Sequence, residues 1–202
     1  MLVGSLALVC SACGGASPSA ARHSHKKHHP PSTSTTAPPP TTTTTTTSTT
    51  AGLARCTSAQ LSISLGQTGA GLGHEGGTIL FTNTGTTACS LSGYPGVAAL
   101  SSAGAQVQQA QRTPNGYLGG METGSTTPPL VDLRPGAVAS ALVEGTDVPE
   151  GTATSCPTYP ALLVTPPTST HSTRIALSLP GCSPLQVHPV VSGATGTTQP
   201  AS

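Results

Sequence analysis

Leu61-Ser62-Ile63-Ser64-Leu65 alternates long aliphatic residues with serine, and that period of two marks a strand with one face buried. Working outward, strand-like runs recur at Thr78 to Asn83, Cys89 to Leu91, Val97 to Ser101, Ala105 to Gln109, Leu130 to Leu133 and Val138 to Glu144. Three more follow at Ala161 to Thr165, Arg174 to Leu179 and Leu185 to Val191. Turn signals separate them: Asn83-Thr84-Gly85, Tyr94-Pro95-Gly96, Pro114-Asn115-Gly116, Pro135-Gly136, Pro166-Pro167 and Pro180-Gly181. With 24 Gly and 20 Pro in 202 residues, little uninterrupted length remains for helices. The predicted class is all-β, an antiparallel β-sandwich, with an immunoglobulin-like arrangement among the options.

The chain has three further parts. Residues 1–13 open on the apolar run MLVGSLALV, long enough for the hydrophobic region of a signal peptide and too short to span a bilayer. Cys10-Ser11-Ala12-Cys13-Gly14 resembles the bacterial lipobox, and Cys13 is the expected lipidation site. Cys10 stands where that motif usually has Leu, and no Lys or Arg precedes the apolar run. A cleaved leader that releases a secreted protein, or lipid on Cys10 itself, are the competing readings.

Residues 14–53 hold almost no large apolar residue and include Pro38-Pro39-Pro40 followed by seven Thr from Thr41 to Thr47. Such a segment buries too little surface to offset chain entropy and is read as a disordered spacer. Its reach is ~35 Å as a coil and ~120 Å in polyproline-like extension. Its Ser/Thr and Pro content also resembles O-glycosylated stalks. Arg22, Lys26 and Lys27 lie here with His23, His25, His28 and His29, read as a basic patch next to the membrane or wall rather than a metal site. The domain is placed at 54–192, with 193–202 as a flexible tail.

Charge excludes one class of partner. From Gly52 onward there is no Lys, and four Arg face six acids, so nucleic acid is not expected. Four cysteines remain in the exported domain, and two disulfides are favoured over free thiols or zinc ligation. Of the three connectivities, Cys56 with Cys89 and Cys156 with Cys182 is preferred, since each ties neighbouring strands.

Several segments together resemble a known family: Cys56-Thr57 leading to Leu61, Gly73-His74-Glu75-Gly76-Gly77 before Leu80-Phe81-Thr82-Asn83, then Cys89-Ser90-Leu91-Ser92-Gly93-Tyr94-Pro95-Gly96-Val97, and Leu133-Arg134-Pro135-Gly136. They look like the actinobacterial domain-of-unknown-function 4232 family of secreted proteins and lipoproteins. The resemblance implies an extracytoplasmic β-rich domain in a high-GC Gram-positive bacterium and carries no activity or site residues.

Searching for chemistry yields little. Gly71-Leu72-Gly73-His74-Glu75-Gly76 matches the G-x-G-x-x-G phosphate loop, but a strand follows where a helix N-terminus is required, so a flexible hairpin loop is expected instead. His74 beside Glu75, with His171 or His188 brought near by folding, is the sole acid/base or metal grouping, and surface positions are expected for all three histidines. No catalytic residue, metal site or cofactor is expected. Tyr94 in its tight turn is read as a cover for a disulfide, and Tyr117, between Asn115-Gly116 and Gly119-Gly120, as the exposed aromatic of a mobile loop. His74, Tyr94 and Tyr117 are the candidate binding loop residues. The expected protein is a monomeric, non-catalytic lipoprotein of the cell envelope that binds an envelope protein or wall polymer, with a small hydrolase or metal-handling protein using His74 and Glu75 as the alternative.

Overall fold

The computed structural model describes residues 52–198, so Cys13, the Pro/Thr segment through residue 51 and residues 199–202 lie outside the description. A short 3₁₀ turn at Ser58–Gln60 leads into the first strand. The strands are β1 (Leu61–Gly71), β2 (His74–Asn83), β3 (Cys89–Ser92), β4 (Gly96–Leu100), β5 (Gln106–Gln109), β6 (Gln111–Arg112) and β7 (Leu130–Leu133). Then come β8 (Val138–Thr146), β9 (Thr158–Tyr159), β10 (Ala161–Thr165), β11 (Thr173–Ile175), β12 (Leu179–Pro180), β13 (Gln186–Val187) and β14 (Val191–Ser192).

One sheet runs β1-β2-β8-β13-β6, with β14 also on β8; the second runs β11-β10-β4-β5. Two ribbons, β3 with β7 and β9 with β12, complete the set. Ile79, Phe81, Ala141 and Val143 of the first sheet join Val97, Ala99, Leu162 and Val164 of the second in one apolar cluster. That shared core makes the fold a sandwich. Every named pairing is antiparallel except β6 with β13, which is parallel. The reason is local: the chain leaves the second sheet after Gln109, buries Ala110, and enters the first sheet at Gln111. With so few aromatics, Phe81 supplies the largest fully buried side chain, worth about 2–3 kcal/mol relative to exposure.

Both expected disulfides are present, Cys56–Cys89 and Cys156–Cys182, with Cα separations of 4.8 and 4.6 Å. The Asn of the Phe-Thr-Asn segment has a structural role. Asn83 is buried and satisfied: its amide donates to the Thr87 and Leu133 carbonyls while its oxygen accepts the Gly85 N–H.

Some expectations need correction. Arg174 to Leu179 is not one strand but splits into β11 and β12, and Leu185 to Val191 splits into β13 and β14 around His188-Pro189-Val190. The G-x-G-x-x-G stretch forms the expected hairpin, and a tight one. Strands reach Gly71 and restart at His74, leaving Leu72-Gly73 as a two-residue turn with φ of 45° and 81°, the double positive φ that a type I′ hairpin requires. Residues 193–198 do not behave as a free tail. The Gly196 N–H donates to Ser140 Oγ, the Gly120 N–H to the Gly196 carbonyl, and the Thr198 N–H to the Gly120 carbonyl.

That last contact explains β8. Its residues alternate faces, with Ala139, Ala141 and Val143 in the shared core. Ser140, Leu142 and Glu144 point the other way, yet they are buried too. The glycine-rich loop at 114–121 and the segment at 193–198 cover that outer face; a Cβ on Gly119 would stand 3.3 Å from Leu142, and one on Gly196 3.0 Å from it.

Candidate functional site

The outer face of β8 carries the one carboxylate that is fully buried among the described residues. Glu144 is 1% exposed, and β2 brings Gly76 opposite it, a residue with no side chain to fill the space. The loop closes over it from above. The Tyr117 N–H donates to Glu144 Oε1 at 2.9 Å and the Leu118 N–H to Oε2 at 2.7 Å. Both are charge-assisted bonds, the stronger kind, and they tie a loop to a sheet. Gly116 is forced to be glycine, because a Cβ there would collide with the Glu144 carboxylate and come within 2.7 Å of His188 Nε2.

Two histidines flank the same oxygen. His74, the first residue of β2, places Nδ1 3.7 Å from Glu144 Oε1 with a quarter of its side chain exposed. His188 follows β13, where its N–H donates to the Leu142 carbonyl, and its fully buried ring sets Nε2 3.9 Å from the same Oε1. At those distances neither imidazole nitrogen makes a hydrogen bond. The other His188 nitrogen is well satisfied: Nδ1 lies 3.1 Å from the Thr113 carbonyl and 3.1 Å from the Thr113 hydroxyl. That hydroxyl already donates to Gln186 Oε1, so both groups facing Nδ1 are acceptors. The network therefore assigns the ring proton to Nδ1, and Nε2 of the neutral ring offers a lone pair toward the carboxylate. Burial holds the His188 pKa below the ordinary histidine value, while the bond to Thr113 and the charge of Glu144 act in the opposite direction.

The ring of Tyr117 stacks on His74 at 4.8 Å between centroids and 20° between planes, with 52% of the tyrosine still exposed. Tyr117 is thus the exposed aromatic expected, and the loop that carries it is tied to the sheet. Its backbone is pinned by Glu144, and its ring is braced by His74.

Of the residues singled out from sequence, His74, His188 and Tyr117 converge here. His188 is buried, not at the surface, because the glycine-rich loop stands against its ring at Gly116 and Gly120 and the Thr113 carbonyl meets its Nδ1. Glu75 is not the partner of His74. Consecutive strand residues face opposite sides, and Glu75 instead lines a cleft of about 370 Å³ with Thr68, Gly69, Ala70 and Leu177. His171 sits exposed in a turn closed by its N–H on Ser169 Oγ. Tyr94 joins none of these contacts; burial raises its pKa and nearby Arg112 acts to lower it. Glu144 itself was missed from sequence, although an unbroken small-apolar strand ending in Glu, with Gly116, Gly119 and Gly120 available to approach it closely, was the signal.

The family model described as "Domain of unknown function (DUF4232)" matches residues 56–195, from the first disulfide cysteine to beyond β14. The chain belongs to the DUF4232 family. No curated protein and no solved structure matches it. The DUF4232 match takes in His74, Tyr117, Glu144 and His188 together with all four disulfide cysteines. The paired disulfides are compatible with an extracytoplasmic location for this DUF4232 protein. Among the described residues no helix is long and apolar enough to cross a membrane.

Proposed function

We propose that this protein is a non-catalytic binding module of the cell envelope, lipid-anchored through Cys13 and held outward by its Pro/Thr spacer, which recognises a protein partner. One observation carries the reading: three exposed apolar side chains gather at the β1–β2 turn. Leu72 at the tip is 83% exposed, with Val148 at 55% and Tyr117 at 52%. A Cβ on Gly71 would stand 3.5 Å from the Tyr117 ring, and one on Gly73 would strike Val148, so the two flank the turn. The patch is rigid as well as apolar, because a tight hairpin sets Leu72 and Glu144 fixes Tyr117. Rigid aromatic and aliphatic anchors lose little entropy on binding, which suits a protein surface more than a hydrated polysaccharide.

The test is a photo-crosslinking residue placed at Leu72, or at Val107 on the second sheet as a control, in the full chain on living cells. One reproducible protein adduct from position 72 and none from 107 is expected. No adduct, or the same adducts from both positions, defeats the reading. The anchoring is tested separately by mass spectrometry of the mature N-terminus, where an acylated Cys13 is expected and an unmodified residue refutes it.

A further inference from the structure

We propose that the free edge of β1 at Thr68–Gly71 takes up an extended segment of a partner protein as an added strand, with a Lys or Arg of that segment seated beside Glu75. This docking mode rests on the protein-binding reading above and assigns the partner's conformation and charge. Among the described residues β1 ends its sheet, paired with β2 on one side and with no strand on the other. It is also the longest such edge, with 11 residues against 3 in β11, 4 in β5 and 2 in β6. Natural sheets blunt their edges with Lys, Pro or a bulge, because unpaired N–H and C=O groups are a template for another strand. β1 carries no charged residue and no Pro. Its one such device is the bulge between Leu65 and Thr68, which leaves Thr68, Gly69 and Ala70 exposed beyond it.

The side chains around that stretch define what the added strand must present. Past the bulge Thr68 stands opposite Gly77, and Ala70 opposite Glu75. Gly77 shares the face of Ile79 and Phe81, so Thr68, Ala70 and Glu75 lie on the core side of the sheet, at the end where the core gives out. The cleft of about 370 Å³ opens there, lined also by Leu177, Ser178 and Leu179. A strand laid beside β1 directs every second side chain onto this same face, next to Thr68 and Ala70. The cleft holds one carboxylate, that of half-buried Glu75, and among the described residues no cation pairs with it. Backbone pairing then supplies affinity without regard to sequence, and one basic side chain supplies the choice of partner. A second copy of this chain does not meet that requirement, since its β1 has no cation to offer. Leu72 follows Gly71 directly, so the strand edge and the apolar patch make one continuous surface.

Gly69 is the place to probe, because a Cβ there meets nothing within 4 Å and points away from the cleft. A photo-crosslinking residue at Gly69 of the full chain, on living cells, is expected to capture the same protein as position 72, through a segment that contains Lys or Arg. A synthetic peptide of that segment, added to the full chain, is expected to slow amide hydrogen exchange across Thr68–Gly71 by about tenfold and to leave β5 unchanged. Glu75→Gln is expected to weaken that peptide by about fivefold. An adduct from position 72 with none from 69 overturns this docking mode and leaves the protein-binding reading intact. A Gly69 adduct with a second copy, a linked segment without Lys or Arg, unchanged exchange at Thr68–Gly71, or equal affinity in Glu75→Gln overturns it as well. No adduct from either position removes both.

Discussion

Replacing Glu144 by Gln changes one oxygen to an NH₂ group and nothing else in shape, and the structure says where the damage falls. Both carboxylate oxygens accept a backbone N–H, from Tyr117 and Leu118. The amide has only one acceptor oxygen, so one of the two N–H groups must face another donor. A charge-assisted bond contributes about 1.5–3 kcal/mol and an orphaned buried donor costs about 1–3 kcal/mol, while relief from burying a charge offsets part of the loss. A net effect of about 2 kcal/mol follows. The loop can escape by swinging out to let its amides reach water, so the effect is local before it is global. At about 1.4 kcal/mol per factor of ten, amide hydrogen exchange at Tyr117 and Leu118 is expected to accelerate about 30-fold, while exchange in β10 stays unchanged. Exchange at both loop amides within threefold of the wild type would refute the reasoning, because Glu144 would then not be what holds the loop.

Further outcomes follow from the same geometry. Burial holds the folded-state pKa of His188 below the ordinary histidine value of about 6.5, so its contribution to stability is complete above that value and is lost as pH falls from there through the folded-state pKa. Urea unfolding is expected to show stability declining below about pH 6.5 by at most about 1.4 kcal/mol per pH unit, with Glu144 as the ionisable group facing the ring; a flat profile between pH 7.5 and 5 contradicts this. Leu72 holds φ of 45°, a strained region for a leucine. Leu72→Asn is expected to stabilise the fold by about 1 kcal/mol in urea melts and to weaken partner capture, and a destabilised variant argues against the turn. Removing the Cys156–Cys182 bridge, which spans 26 residues of sequence separation, by a double Ser substitution is expected to cost about 3.5 kcal/mol on the loop-entropy model, and an unchanged urea midpoint contradicts it.

Much of this architecture was legible because it is written in local patterns. Alternation at Leu61, Ile63 and Leu65 reports a one-sided strand directly, and Leu130 to Leu133 and Ala161 to Thr165 match their strands end to end. Pairing of Cys56 with Cys89 followed from neighbouring strands. The site was harder because it depends on what covers β8. Ser140, Leu142 and Glu144 lie on the face of β8 away from the shared core, and long-range contacts from the loop at 114–121 and from 193–198 bury them. His188 was misjudged for the same reason: its place before Pro189 suggested a surface position, and the loop at 114–121 covers it. Glu75 was favoured over Glu144 by adjacency in sequence, which in a strand places neighbours on opposite sides.

The account stands on the buried carboxylate of Glu144 as the point where sheet, loop and two histidines meet. A crystal structure of the protein measures this directly through the distances from the Glu144 oxygens to the Tyr117 and Leu118 amide nitrogens. The account predicts both near 3 Å, with the Tyr117 ring lying on His74. A Glu144 side chain turned out to solvent, with the loop detached from it, would contradict the account.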